Sequence, residues 1–311
     1  MALTFANENA AKQITAALYP NARKFNLIDH GYDNLVILVD NVYAVRFPRK
    51  EGAYRRSLYE RLVLEELEAI QDVSIPKVLS VHANPPYLVT SFVHGIHLST
   101  QEVREFPATL RHQLGVDIAN FAYSMHSILS VDEATNLRHK FNLDLQVEEP
   151  WNVYIKKKLL DYTFPTTEQD TIAKEYYTLW KQLRGQAVVI HDDLHLENLL
   201  FQDQKLYGVL DFGDTTIGTV EQELRQLFRI DESVAKSAAE RYSRLVNRPI
   251  DLEAMKTWAI VQELAVYSDR LSSKNTKEQA FARASNNLNA WLKRGEWGKG
   301  FIDLTTAFSR Q

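Results

Sequence analysis

Val188-Val-Ile-His-Asp-Asp-Leu-His-Leu-Glu-Asn-Leu-Leu-Phe201, followed by Tyr207-Gly-Val-Leu-Asp-Phe-Gly-Asp214, is the most informative stretch of this chain. Both halves place acidic or amide groups immediately after an apolar, strand-like run. Carboxylates at strand ends are rigidly held and can converge on one cation. His191, Asp193 and His195 alternate, so on a strand they could face one way as ligands of a catalytic metal. No matching histidine cluster occurs elsewhere, which weakens that metallohydrolase reading.

Around this island, from Ala187 to Asp211, the pattern is helical. Spacing of apolar residues predicts helices near 108–129, 169–183, 220–245, 252–271 and 277–293. The first third reads differently, as strands around one helix. Leu35–Val39 and Val42–Phe47 are β-rich runs separated by Asp40-Asn41, a hairpin signal. Ala53–Ile70 is helix-favouring, and Tyr87–Val93 is a further extended run. The expected architecture is therefore α+β in two lobes, a β-rich one over 1–93 and a mainly helical one over 94–311, joined near Val93-His-Gly95.

Composition excludes several classes. The 311 residues are 45% apolar and 24% charged, the mix of an ordinary globular chain rather than a disordered one. Cysteine is absent, which removes disulfide frameworks and cysteine-ligated zinc and fits the cytoplasm. The longest aliphatic run, Leu35–Val39, is far short of the roughly 20 residues that span a bilayer. The start, Met1–Glu8, has neither a basic segment nor an apolar h-region, so no secretory signal is expected. A net charge of −4 without a long basic stretch disfavours nucleic acid as the ligand.

His191-Asp192-Asp193-Leu194-His195-Leu196-Glu197-Asn198 resembles the catalytic loop of the aminoglycoside phosphotransferase family and, more distantly, that of protein kinases. Asp193 and Asn198 keep the family's five-residue step, and Asp211-Phe212-Gly213 matches its metal-binding triplet. The resemblance covers most of residues 25–225. It implies a protein-kinase-like fold and transfer of the γ-phosphate of ATP or GTP to a hydroxyl group, with Asp193 as the base and Asn198 and Asp211 as Mg²⁺ ligands. The chemistry suits those types: phosphoryl transfer needs positioning and charge neutralisation, and Mg²⁺ prefers hard oxygen donors. His191 and His195 are expected to brace the loop. The family usually has Gly at 192 and often Pro-Gly at 196–197, so Asp192 and Glu197 depart from it.

The nucleotide should be held by the first lobe. Tyr43-Ala-Val-Arg46 stands where protein kinases show Val-Ala-Ile-Lys. Alternation puts Ala44 and Arg46 on one face, the small residue leaving room for a purine and the guanidinium reaching the phosphates. A solvated strand arginine is the alternative. Glu60 lies three, four and seven residues before Val63, Leu64 and Leu67, on the apolar stripe of its helix, where a carboxylate needs a partner; Arg46 is the best one. Asp29-His-Gly-Tyr-Asp-Asn34, with Gly31 and Asn34, is either a phosphate loop or a plain turn. Ser91 and Val93, at the lobe joint, are candidates for backbone contacts to the purine.

His126 reads as structural. Trp151, Tyr154, Trp258 and Tyr267 are possible walls of an acceptor pocket, with Glu263 and Asp269 among its acidic candidates. The acceptor that the family resemblance favours is an aminoglycoside. The motive for a cationic one is acidity around the loop: Asp192, Glu197, Asp214, Glu221 and Glu223. The rivals are a kinase of a metabolite (an amino alcohol or sugar) and a catalytically silent nucleotide-binding module. No nucleic acid or membrane partner is expected.

Overall fold

The computed structural model describes residues 5–29, 33–143, 151–275 and 278–292. Gly31 and the Gly295–Gly300 segment lie outside them. Five strands, β1 (Phe25–Ile28), β2 (Asn34–Val39), β3 (Tyr43–Pro48), β4 (Val78–Ala83) and β5 (Pro86–Ser91), form one antiparallel sheet in the order β1-β2-β3-β5-β4. Period-2 alternation divides each strand between two faces. Leu35, Ile37 and Val39 of β2, with Val45 and Phe47 of β3, build a core on one face. Asn34, Val36, Leu38, Ala44 and Arg46 are left for the other, which lines a cleft.

The β2–β3 connection is Asp40–Val42, one residue longer than the Asp40-Asn41 signal suggests, with Val39 paired to Tyr43. Asp40 and Asn41 take positive φ, the conformation that tight hairpin turns ask of Asp and Asn. A helix absent from the sequence reading, α1 (Glu8–Leu18), covers the core face of this sheet through Ala11 and Ile14. Ala11, Ile14, Thr15 and Leu18 recur at helical spacing, so the signal for it was present in the sequence. The expected helix near 53–70 is α2 (Glu51–Glu66) followed by a single tighter turn, Leu67–Ala69.

The rest is mainly helical: α3 (Thr100–Glu105), α4 (Ala108–Ile128), α5 (Val131–Lys140), α6 (Trp151–Ile155) and α7 (Thr167–Gln182), then α8 (Val220–Leu224), α9 (Leu227–Ile230), α10 (Glu232–Val246), α11 (Leu252–Ser272) and α12 (Gln279–Leu292). Ser99 with Glu102, and Ser130 with Glu133, form capping boxes at α3 and α5. The expected helix over 220–245 is three helices instead. Asp231 leaves the helical conformation to cap α10, accepting from the Ser233 amide. Among the described residues no helix is long and apolar enough to cross a membrane.

Between α7 and α8 come β6 (Val188–Ile190), β7 (Leu199–Gln202), β8 (Lys205–Val209) and β9 (Thr216–Gly218). One buried cluster runs from Tyr59, Val63 and Leu64 of α2 through Phe121, Leu199, Val209 and Phe212 to Ala235 and Ala238 of α10, so the sheet's own helix is fused to the helical part. A second gathers α6, α7, α11 and α12 around Ile172, Trp258 and Leu264. The chain crosses between the two parts at Gly95, whose φ is +140° and where a Cβ would lie 2.9 Å from the Leu200 Cβ. Only glycine meets both conditions without strain.

Helices α4 and α10 approach closely at Gly115, where a Cβ would sit 2.5 Å from the Val234 carbonyl oxygen and 2.8 Å from the Ser237 Cβ. Backbone cannot yield there as a flexible side chain would. Gly115→Ala should therefore destabilise the protein by about 1–3 kcal/mol, the usual cost of overpacking, despite alanine's better helix propensity. Thermal unfolding checks this, and an unchanged or raised Tm would contradict it.

Candidate active site

Two hairpin-like pairings create the site. β6 pairs antiparallel with β9, and β7 with β8, so residues 191–198 and 210–215 emerge side by side. The Leu210 amide donates to the Asn198 carbonyl at 2.9 Å and ties the two segments together. Within the first, Asn198 Nδ2 donates to both the Asp193 carbonyl, at 2.9 Å, and Asp193 Oδ2, at 3.0 Å. The five-residue step is thus a closed ring of hydrogen bonds. Gln226 Nε2 donates to Asp193 Oδ1 at 2.9 Å, and His195 Nε2 lies 3.2 Å from Oδ2. Burial alone would push this carboxyl up. His195, through its hydrogen bond and charge, together with Arg229, holds it well below the usual carboxylate range.

The loop is braced from beneath. His191 Nε2 bonds the Leu210 carbonyl at 3.0 Å and its Nδ1 accepts from the Asp193 amide at 3.3 Å, a pattern that the neutral Nε2–H tautomer satisfies. Its ring meets Phe212 edge-on at 4.7 Å. Glu223, with no exposed side-chain surface, accepts from the amides of His191 (2.5 Å) and Asp192 (3.2 Å). His126 stands 3.4 Å from the same carboxylate and bonds the Tyr242 hydroxyl at 2.8 Å. Both histidine nitrogens of His191 are therefore committed within the protein. Among the described residues no group of three or more His, Asp or Glu could hold a metal by itself.

Asn34, Ala44, Arg46, Glu60, Ser91, Val93, Asp193, Asn198 and Asp211 all line one cleft of about 730 Å³. Arg46 Nη1 bonds Glu60 Oε1 at 2.6 Å, and Arg46 Nη2 lies 3.7 Å from Asp211 Oδ1. Glu60 is 1% exposed; burial pushes its carboxyl up while Arg46 pulls it down. The Ser91 and Phe92 amides are spent on Lys77 and Val42, and Ser91 Oγ accepts from the Lys77 amide. Val93 makes no such bond among the described residues, so its backbone is the open group at the joint. Asn34 has a buried side-chain oxygen without a partner on the same wall.

Asn198 commits its nitrogen to Asp193, which leaves its oxygen for a cation. Asp211, whose side chain is 58% exposed, supplies a carboxylate. One amide and one carboxylate suit Mg²⁺, which keeps waters and substrate phosphates as its other ligands rather than filling an all-protein cage. Asp214 also faces the cleft and is pushed up to about 7 by desolvation and by the Asp193 and Asp211 carboxylates, with Arg56 opposing.

Sequence reasoning missed Arg56 and Gln226. Arg56 lines the cleft, pairs with Asp33, and lies four residues before Glu60 on one face of α2; that spacing was the available signal. Gln226 belongs to no motif. The expected acidic surround needs correction. Asp192 is buried, with Oδ1 2.7 Å from Arg225 Nη1 and accepting from Gln222, and Oδ2 accepting from Trp151. Glu223 is buried under the loop, and Glu221 lines a separate pocket beside Trp180 and Trp258. Only Glu197 and Asp214 of those five reach the cleft. Glu263 pairs with Arg229, while Trp258 packs into the second core and Trp151, Tyr154 and Tyr267 pack against it.

Asp192 has φ +67°, the left-handed region, where the related family's glycine would be relaxed. Its ion pair with Arg225, whose guanidinium also sits over Trp151 and Trp258, offsets that strain. Removing one partner of a buried pair costs about 3–5 kcal/mol, against about 1–2 kcal/mol of relief from left-handed strain. Asp192→Gly should therefore be a net destabiliser, and adding Arg225→Met should restore part of the loss. Chemical denaturation of the single and double variants measures this; a double variant less stable than Asp192→Gly alone would contradict it.

Solved structures share this fold. The GDP complex of wild-type aminoglycoside 2'-phosphotransferase-IIIa superposes with a TM-score of 0.75 at 17% identity, over 92% of this chain and 98% of that one. The streptomycin–ATP ternary complex of APH(2'')-IIa gives 0.65 at 15%, over 90% and 96%. A macrolide 2'-phosphotransferase from Brachybacterium faecium gives 0.63 at 15%, over 88% and 97%. No curated protein matches in sequence. The sequence model of the phosphotransferase enzyme family matches residues 24–258, which include both halves of the site. With a kinase-like fold and that match over most of its length, the chain belongs to the phosphotransferase enzyme family, whose members transfer phosphate to hydroxyl groups.

Proposed function

We propose that the protein is a small-molecule kinase that moves the γ-phosphate of ATP or GTP onto a hydroxyl group, most simply that of an aminoglycoside antibiotic. The observation that carries this is the Asp193 carboxylate, held ionised between Asn198 and Gln226 in the same cleft as Arg46, Glu60 and Asp211. In this reading residues 1–93 hold the nucleotide, and residues 94–311 supply the base and the acceptor pocket. Ala44 gives the purine room, the Val93 backbone meets its edge, and Arg46, oriented by Glu60, binds phosphate oxygens. Arg56 adds a second cation to that wall. Asp193 accepts the acceptor's hydroxyl proton as the oxygen attacks the phosphorus and the nucleoside diphosphate leaves. Asn198 and Asp211 would hold Mg²⁺, which when bound supplies neutralisation of phosphate charge.

The neighbours' acceptors, aminoglycosides and macrolides, support an antibiotic here as well. A cationic acceptor retains support from Glu197 and Asp214 alone. With so thin an acidic wall, a metabolite hydroxyl is the second reading. Presence of Asp193, Asn198 and Asp211 together argues against a silent module. Release of ADP or GDP should be measured against aminoglycosides, a macrolide, amino alcohols and sugars, with the phosphorylated product identified by mass spectrometry. Turnover of sugars or amino alcohols alone would move the acceptor to the metabolite class.

Asp193→Asn should lower kcat by a factor on the order of 10²–10⁴, the usual general-base contribution, with little change in nucleotide affinity. Near-normal turnover in the folded variant would remove Asp193 from the chemistry. Arg46→Ala should raise the nucleotide KM, and Arg46→Lys should keep part of the activity. Because Arg46 and Glu60 share one buried interaction, Glu60→Ala should add little to Arg46→Ala. Additive losses in kcat/KM would mean that the pair does not act as a unit.

A further inference from the structure

We infer that Gln226 is the positioning residue of the Asp193 carboxylate, set in its working polarity by a polar chain through Arg229 and Glu263; this rests on the reading of Asp193 as the base. Gln226 is 1% exposed. Its Nε2 donates to Asp193 Oδ1 at 2.9 Å and to the Asp192 carbonyl at 3.3 Å, while its Oε1 accepts from Arg229 Nη1 at 2.5 Å. Arg229 Nε in turn donates to Glu263 Oε1 at 2.6 Å, the oxygen that also accepts from Asn287 Nδ2 at 2.9 Å.

The chain has only one polarity. A guanidinium donates and never accepts, so the Gln226 oxygen must face Arg229. The Gln226 nitrogen must then face Asp193, because the flipped amide would set oxygen against carboxylate and nitrogen against guanidinium. Arg229 is itself fixed by Glu263 on α11, and Glu263 is steadied by Asn287 on α12. With Oδ2 bonded to Asn198 and Oδ1 to Gln226, both carboxylate oxygens are pinned and the plane of Asp193 is determined. The lone pairs left over define where a hydroxyl can approach. Helices α11 and α12, far along the chain, thereby set the aim of a residue in the loop between β6 and β7.

Two full-length variants test this. Gln226→Met keeps the volume and removes all three side-chain hydrogen bonds; Gln226→Glu keeps the pairing with Arg229 and loses the donor to Asp193 and to the Asp192 carbonyl. Either should lower kcat by about tenfold to a hundredfold, the worth of a buried hydrogen bond to a charged group, with nucleotide KM changed by less than about twofold. Rates are read with kanamycin as acceptor and as hydrolysis of ATP and GTP with water. In the Asp193→Asn background the further loss should vanish. Crystal structures of the variants should show the Asp193 carboxylate rotated from its wild-type plane. Wild-type kcat in the two Gln226 variants, an equal loss in the Asp193→Asn background, or an unmoved carboxylate overturns the inference while leaving Asp193 as base. Normal turnover in Asp193→Asn itself overturns the underlying reading instead, and the inference with it.

Discussion

A loop that carries a carboxylate into a cleft must leave its backbone amides somewhere dry, and Glu223 is where they end. Its side chain, fully buried, receives the His191 and Asp192 amides and faces His126. Burial would push this carboxyl up, but the hydrogen bond and charge of His126, with the hydrogen bond from the His191 amide, hold it below the ordinary range. An ionised acceptor here converts two otherwise unsatisfied donors into charge-assisted bonds, the stronger class of hydrogen bond. Everything above it depends on that: the His191 bridge to Leu210, the Asn198 ring around Asp193, and the register that brings residues 191–198 against 210–215.

The opposite wall is organised by one half-buried cation. Arg46 extends from the sheet, finds Glu60 on α2, and stops short of direct contact with Asp211. That geometry lets three elements share one charge: a strand, a helix and the segment after β8. Asp33 does the same for Arg56 one turn earlier on α2. The wall made by the sheet and α2 therefore presents two guanidinium–carboxylate pairs to the cleft, which Asp193, Asp211 and Asp214 face from the other part of the chain.

Legibility in the sequence followed the range of the interactions. The pairing of Arg46 with Glu60 could be read because strand alternation and a helical stripe each limit where a side chain faces, and a buried carboxylate demands a partner. Asp192 misled for the converse reason. A carboxylate beside Asp193 looks like added acidity, whereas its partners, Arg225, Gln222 and Trp151, come from segments distant in the chain. Helix α1 was legible in its local spacing, Ala11, Ile14, Thr15 and Leu18 recurring at i, i+3, i+4 and i+7, and that signal went unread.

What the sequence by itself determined was the local chemistry: the five-residue step from Asp193 to Asn198, the Asp211-Phe212-Gly213 triplet, and the two-faced strands β2 and β3. Each follows from interactions within a few residues, where covalent spacing dictates geometry. Only the tertiary structure decided which carboxylates face the cleft, which are neutralised inside the protein, and how the Asp193 carboxylate is held. Gln226, Arg229 and Glu263 become one polar chain only when α8, α9 and α11 pack beneath the loop. Hydrogen bonds between distant segments depend on ångström-level placement of whole helices, and no spacing along the chain encodes that.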